Sequence, residues 1–144
     1  MRREGKALGA FVSILRNSNA LEKIVKKDVA CYQLNITEFS VLELLFHQGQ
    51  QTTQTIKEKI LIASSSTTYV IDQLEKKGYV LRQVSAKDKR ITYVSLSDKG
   101  RELMIEIFPL HEATISQCFS TLEDEELNQL IKILGKLNRN LNKK

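Results

Sequence analysis

The sequence predicts a mainly α-helical chain with one small antiparallel β-wing, a winged helix-turn-helix extended at both ends by long helices. Three observations predict it. Residues 64–78 run from small hydroxylated residues through a short helical stripe to a glycine stop. Residues 79–96 hold two β-like runs on either side of a charged tip. Both ends of the chain carry apolar stripes of helical period, more apolar surface than a small winged domain needs. That surplus predicts a dimer joined through the N- and C-terminal helices. The expected divisions are residues 1–34, a dimerisation helix, residues 35–100, the winged domain, and residues 101–144, further dimerisation helices within one compact subunit.

In order, Lys6 to Tyr32 reads as one long helix. Leu8, Phe11, Val12 and Leu15 form its stripe, continued by Leu21, Ile24 and Val25, with a polar interruption at Asn17-Ser18-Asn19. Thr37 is the expected N-cap of a second helix, with Ile36 and Val41 as its hydrophobic staple and Gly49 as its stop. Thr52 or Thr53 caps a short third helix with Ile56 and Ile60 inward, and Leu61-Ile62-Ala63 makes the turn out of it. Ser64 is the expected N-cap of the fourth helix and Gly78 its C′ residue. Val70, Ile71 and Leu74 make that helix's apolar stripe, leaving Ser65, Ser66, Thr68, Tyr69, Gln73 and Lys76 on other faces. Tyr79–Ser85 and Ile91–Leu96 read as a hairpin whose connection, Ala86 to Arg90, is too polar for a core. Ser97 caps a helix in which Pro109 predicts a kink or break. Ser120 or Thr121 is expected to begin the last helix, with acid in its first turn and a leucine-rich stripe from Leu127 to Leu141.

Composition narrows the function. With 144 residues, 42% hydrophobic and 27% charged, the chain suits one domain or one subunit of a dimer. No apolar run reaches membrane-span length, and no cleavage pattern follows the basic start, so the expectation is a cytoplasmic protein without a membrane partner. The net charge of +5 is unevenly placed. Lys57 to Arg101 holds ten Lys/Arg against five Asp/Glu, and the remainder holds twelve of each. All the excess positive charge therefore lies with the helix and hairpin, as a polyanion-binding face requires. Charge alone does not separate such a face from a solvated basic surface.

The two cysteines, Cys31 and Cys118, have no zinc spacing, and no metal or cofactor is expected. There is no Gly-rich phosphate loop, no HExxH and no nucleophile–base arrangement, so no catalytic residues are assigned and no enzyme is expected. A polar helix followed by a basic-tipped hairpin fits a major groove and the neighbouring phosphates or minor groove. The alternative is a winged-helix protein-interaction module without specific DNA binding.

The wing and its surroundings resemble the MarR family of bacterial transcriptional regulators. Asp88-Lys89-Arg90, then Ile91 to Val94, then Ser95-Leu96-Ser97-Asp98-Lys99-Gly100, match its D-x-R…L-[TS]-x-x-G pattern in register. Leu74-Glu75-Lys76-Lys77-Gly78-Tyr79 matches the usual end of its recognition helix. The resemblance implies a homodimer that binds a pseudo-palindromic double-stranded DNA operator, most often as a repressor. It implies that Arg90 reaches the minor groove or its phosphates, that Asp88 positions that arginine, and that Ser64 to Lys76 form the recognition helix. With Lys87 and Lys89 beside them, Ser64, Ser65, Ser66, Thr68, Tyr69, Gln73, Lys76, Asp88 and Arg90 are the expected DNA-binding residues. The resemblance also implies release by a small ligand or by cysteine oxidation. LNITEFSVLELLFHQG and IASSSTTYVIDQLEKKG look most like the branch responding to quinones and other electrophiles. A phenolic, quinone or oxidant effector is therefore expected, and Cys31, Cys118, Tyr32 and His111 are its candidate site. The peroxide-sensing members carry a cysteine near the start of the first helix, where this chain has none.

Overall fold

The computed structural model describes residues 2–60 and 66–143. The elements are α1 (Arg3–Ala30), α2 (Ile36–Gln48), β1 (Gln51–Thr52), α3 (Thr53–Lys59), α4 (Thr67–Lys76), β2 (Val80–Val84), β3 (Thr92–Leu96), α5 (Asp98–Cys118) and α6 (Asp124–Leu141). They form two compact units, Met1–His111 and Glu112–Lys144.

The first unit holds the core. Val29 of α1, Val41, Leu42 and Leu45 of α2 and Ile56 of α3 are buried together. They join Val70, Ile71 and Leu74 of α4, Val80 and Val94 of the wing, and Met104 and Ile107 of α5. The helical stripes read from the sequence for α2, α3 and α4 are therefore the packed faces, because burying them removes apolar area from water. The sheet is antiparallel in the order β1-β3-β2, with Val80 opposite Leu96, Arg82 opposite Val94 and Val84 opposite Thr92. The pair β1, with Gln51 opposite Val94, was not foreseen, since two polar residues carry no strand pattern.

α1 is one continuous helix, as expected, and within its polar stretch the Asn17 amide donates to the Ser13 carbonyl at 2.7 Å. Several other local expectations are corrected. The N-cap of α2 is Asn35, not Thr37. Asn35 Oδ1 accepts from the Glu38 N–H at 2.7 Å, and Glu38 Oε1 accepts from the Asn35 N–H at 2.9 Å. This reciprocal box satisfies two orphan donors where Thr37 offers one. The staple positions thereby shift to Leu34 and Phe39, both buried. Thr52 caps α3 as expected, its Oγ1 accepting from the Thr55 N–H at 3.1 Å. The expected turn at Leu61-Ile62-Ala63 and the expected cap Ser64 lie outside the described residues; α4 is assigned from Thr67, with Ser66 in the N-cap place. Pro109 does not end α5. Its missing N–H frees one carbonyl, that of Ile105, and both residues are exposed, where solvent can take the bond. In the second unit, α6 begins at Asp124, not at Ser120 or Thr121, because Glu126 Oε1 reaches back to the Glu123 N–H at 2.9 Å.

The corner between α4 and the wing carries the tightest geometry. Gly78 has φ 84°, and α4 closes with the Tyr79 N–H on the Leu74 carbonyl and the Gly78 N–H on the Glu75 carbonyl, a Schellman turn. Ser97 Oγ donates to the Gly78 carbonyl at 2.6 Å and accepts from the Gly100 N–H at 3.0 Å, starting α5 on the same corner. A Cβ at Gly100 would overlap the Tyr79 carbonyl oxygen. Because the obstructing atom is backbone, Gly100→Ala is expected to destabilise the fold by about 1–3 kcal/mol, the range for overpacking. Urea denaturation measures it, and an unchanged midpoint would contradict the packing described.

Candidate nucleic-acid interface

α4 presents its residues as its stripe requires. With Val70, Ile71 and Leu74 buried, Ser66, Thr68, Tyr69 and Lys76 are exposed and Gln73 is partly so. Tyr69 is 57% exposed, unusual for a ring of that size on a packed helix. Ser64 and Ser65 lie outside the described residues.

The wing tip is a structured turn. Ser85 Oγ accepts from the N–H groups of Lys87 and Asp88 at 3.2 and 3.3 Å, and the Ile91 N–H closes on the Asp88 carbonyl at 3.0 Å. Asp88 then grips Arg90 three times. Its Oδ1 accepts from the Arg90 backbone N–H at 3.0 Å and from Nε at 3.1 Å, and its Oδ2 from Nη2 at 3.1 Å. The guanidinium and, after it, the backbone N–H hold the Asp88 carboxyl below the usual carboxylate range, and the carboxylate in turn raises Arg90. The Arg90 side chain remains 90% exposed. Of its five N–H donors, two are occupied by Asp88, which leaves three for a further acceptor. Lys87 and Lys89 are exposed beside it.

A second arginine was not anticipated. Arg82 of β2 pairs with Asp72 of α4 and donates to Glu75 Oε1 at 2.9 Å. The hydrogen bond from Arg82 lowers the Glu75 carboxyl, and its acid partners raise Arg82. The two carboxylates stand on the helix read as the reading element, where they would repel phosphate; Arg82 offsets one of their two charges and ties the wing's first strand to that helix. A signal existed in the sequence: two acids at i and i+3 on a helix expected to face DNA need a cation.

The candidate effector residues divide between the units. Tyr32 and His111 both neighbour Asp28 in the first unit. Burial, then the charges of Asp28, Cys31 and Glu106, raises the Tyr32 hydroxyl. His111 Nδ1 lies 3.5 Å from Asp28 Oδ2 and its Nε2 3.6 Å from Glu43 Oε2, with its ring 4.6 Å from that of Phe39. Cys31 is exposed at the end of α1, its thiol 3.8 Å from the Lys27 carbonyl. Cys118 belongs to the second unit, its thiol donating to the Thr114 carbonyl at 3.3 Å. Among the described residues no cluster of three or more His, Cys, Asp or Glu could hold a metal ion, and no helix is long and apolar enough to cross a membrane.

Comparison with known proteins agrees with this geometry. The sequence profile of the MarR family matches residues 34–92. The HTH-type transcriptional regulator MhqR of Bacillus subtilis (strain 168) is 39% identical over 135 residues, covering 94% of this chain and 93% of that protein. The chain belongs to the MarR family. The HTH-type transcriptional regulator YkoM of the same organism, itself uncharacterised, is 44% identical over 131 residues, covering 91% of this chain and 85% of that protein. Among solved structures, Sco3205, a MarR family transcriptional regulator from Streptomyces coelicolor crystallised in complex with DNA, superposes with a TM-score of 0.85 at 20% identity. It covers 99% of this chain and 90% of that one. The MarR fold thus accounts for the helix, wing and terminal-helix order observed.

The Asp88–Arg90 grip has a signed pH dependence. A carboxyl held low contributes stability above the unfolded Asp value of about 3.9 and loses it as pH falls through the lower folded value. The stability difference between wild type and Asp88→Asn is expected to be constant from about pH 5 to 8 and to shrink below about pH 4. Urea melts across that range test it; a difference that grows in acid would reverse the assignment.

Proposed function

We infer that this MarR-family chain is a sequence-specific DNA-binding transcriptional regulator, and that it acts as a homodimeric repressor in the cytoplasm. The observation that carries the reading is the wing: Asp88 holds an otherwise exposed Arg90 outward at the tip of a hairpin joined to the polar helix α4. Phosphate contacts from such a wing set register, and side chains on the helix read base edges. Arg90, Lys87 and Lys89 serve the wing; Ser64, Ser65, Ser66, Thr68, Tyr69, Gln73 and Lys76 serve the helix.

Dimerisation is supported by apolar surface without a partner in one chain. Leu8, Phe11, Val12 and Leu15 of α1 are exposed, and so are Ile131, Leu134, Leu137 and Leu141 of α6. A stripe of this size in water favours a second copy. Two-fold symmetry would set two reading helices about 34 Å apart, one turn of duplex, over a pseudo-palindromic operator.

Release by a phenolic, quinone or oxidant effector is supported by the half-buried Tyr32, by the rings of Phe39 and Phe108 beside His111 and by the exposed thiol of Cys31. An effector would favour a dimer whose helices are wrongly spaced for adjacent grooves. No catalytic role is assigned, in line with the names of the relatives as regulators.

In a gel shift against DNA upstream of its own gene, the protein is expected to give a specific complex that resists excess unrelated competitor. An interaction module would give none. Arg90→Ala should weaken that complex and reduce the magnitude of the salt slope by about 1, as loss of one phosphate contact does. Wild-type affinity and slope in that variant would refute the assignment. Sedimentation equilibrium should return a dimer at micromolar concentration, and a stable monomer would remove the two-fold arrangement.

A further inference from the structure

Lys77 follows the last residue of α4, next to Lys76, and the two lysines are differently placed. Lys76 is exposed and has no ion pair among the described residues. Lys77 is engaged from both ends. Its ammonium lies 2.8 Å from Glu38 Oε2, donates to Glu38 Oε1 at 3.0 Å and donates to the Gln33 carbonyl at 2.9 Å. An ammonium has three protons, and these are three oxygens. Its backbone carbonyl, one of the orphan acceptors at the end of α4, takes a 2.9 Å bond from the Lys99 ammonium of α5.

The partners are not incidental. The Glu38 side chain is only 4% exposed, and its Oε1 also holds the Asn35 N–H that caps α2. Gln33 has φ 61°, the one positive value at a non-glycine among the described residues, in the turn between α1 and α2. A strained carbonyl and a buried carboxylate thus converge on one cation, which joins the α1–α2 corner to the end of α4.

We propose that Lys77 is a positioning residue for DNA recognition. Its ammonium, occupied by Glu38 and Gln33, does not serve a phosphate; it holds the C-terminal end of the reading helix on the α1–α2 corner and so sets how α4 meets the groove. The proposal rests on the DNA-binding reading above. It assigns opposite behaviour to adjacent residues, with Lys76 contributing charge and Lys77 contributing geometry.

The test uses the full-length protein and a duplex selected by the wild type from a random pool, with a scrambled duplex as the non-specific control. Both are titrated over a salt series. Lys77→Met and Glu38→Gln should weaken binding to the selected duplex by roughly tenfold, equivalent to about 1.4 kcal/mol. Both should leave the scrambled duplex and the salt slope nearly unchanged, and Lys77→Arg should restore part of the loss. Lys76→Met should weaken both duplexes alike and reduce the magnitude of the slope by about 1. Should Lys77→Met not fold, the double variant Lys77→Met/Glu38→Leu removes both charges and leaves no orphan carboxylate. That variant is expected to fold and still lose discrimination. A folded Lys77→Met or double variant with wild-type affinity for the selected duplex overturns the proposal, and so does a slope reduced by one unit in Lys77→Met. If the wild type enriches no duplex, the DNA-binding reading itself fails, a result distinct from equal binding by wild type and variant.

Discussion

The chain must leave α4 and enter the wing within three residues, and the corner at Gly78 is where that reversal is made. It rests on one close approach, the Tyr79 carbonyl against the Cα of Gly100, which any side chain at position 100 would obstruct. Around it, Ser97 Oγ serves the Gly78 carbonyl with its proton and the Gly100 N–H with its lone pair. The end of α4, the start of β2 and the start of α5 therefore share one hydrogen-bonded point. The angle between helix and wing is a property of that point, and so is the spacing between the side chains the two elements expose.

Electrostatics refine what the corner sets. The basic surface of α4 and the wing also carries three acids, Asp72, Glu75 and Asp88. Each is paired with an arginine. Arg82 takes the two on α4, and Arg90 takes Asp88. These pairs are partly exposed, so their contribution to stability is small. Their value lies in direction: Asp88 aims a guanidinium, and Arg82 joins strand to helix. The pair of Lys77 and Glu38 differs, because its carboxylate is buried and removing the half-exposed lysine would strand a charge.

Much of this was legible in the residues. Apolar periodicity located α2, α3, α4 and the packed face of each, while Gly49 and Gly78 marked the ends of α2 and α4 and Ser97 the start of α5, as expected. The Asp88-Lys89-Arg90 tip was read as a wing with an aspartate beside its arginine, and the three bonds that the Asp88 carboxylate accepts from Arg90, two from its side chain and one from its backbone, fit that reading. Caps were less legible. Asn35 and Thr37 are both good candidates, and only the Glu38 carboxylate, three residues from Asn35, decides between them. Pro109 was read as a kink or a break, and the break does not occur, because one lost bond on an exposed face does not outweigh the bonds on either side. The strand β1 was invisible because two polar residues have no period.

From local chemistry alone, the order of elements, the polar face of α4 and the concentration of positive charge between Lys57 and Arg101 were determined, since each depends on residues a few positions apart. The partners of Arg82 and Lys77 were decided only by the fold. Lys77 meets a carboxylate 39 residues away and a carbonyl 44 residues away. No periodicity reaches that far. Such pairings depend on which turns close and which cores pack, and packing is a property of the assembled chain.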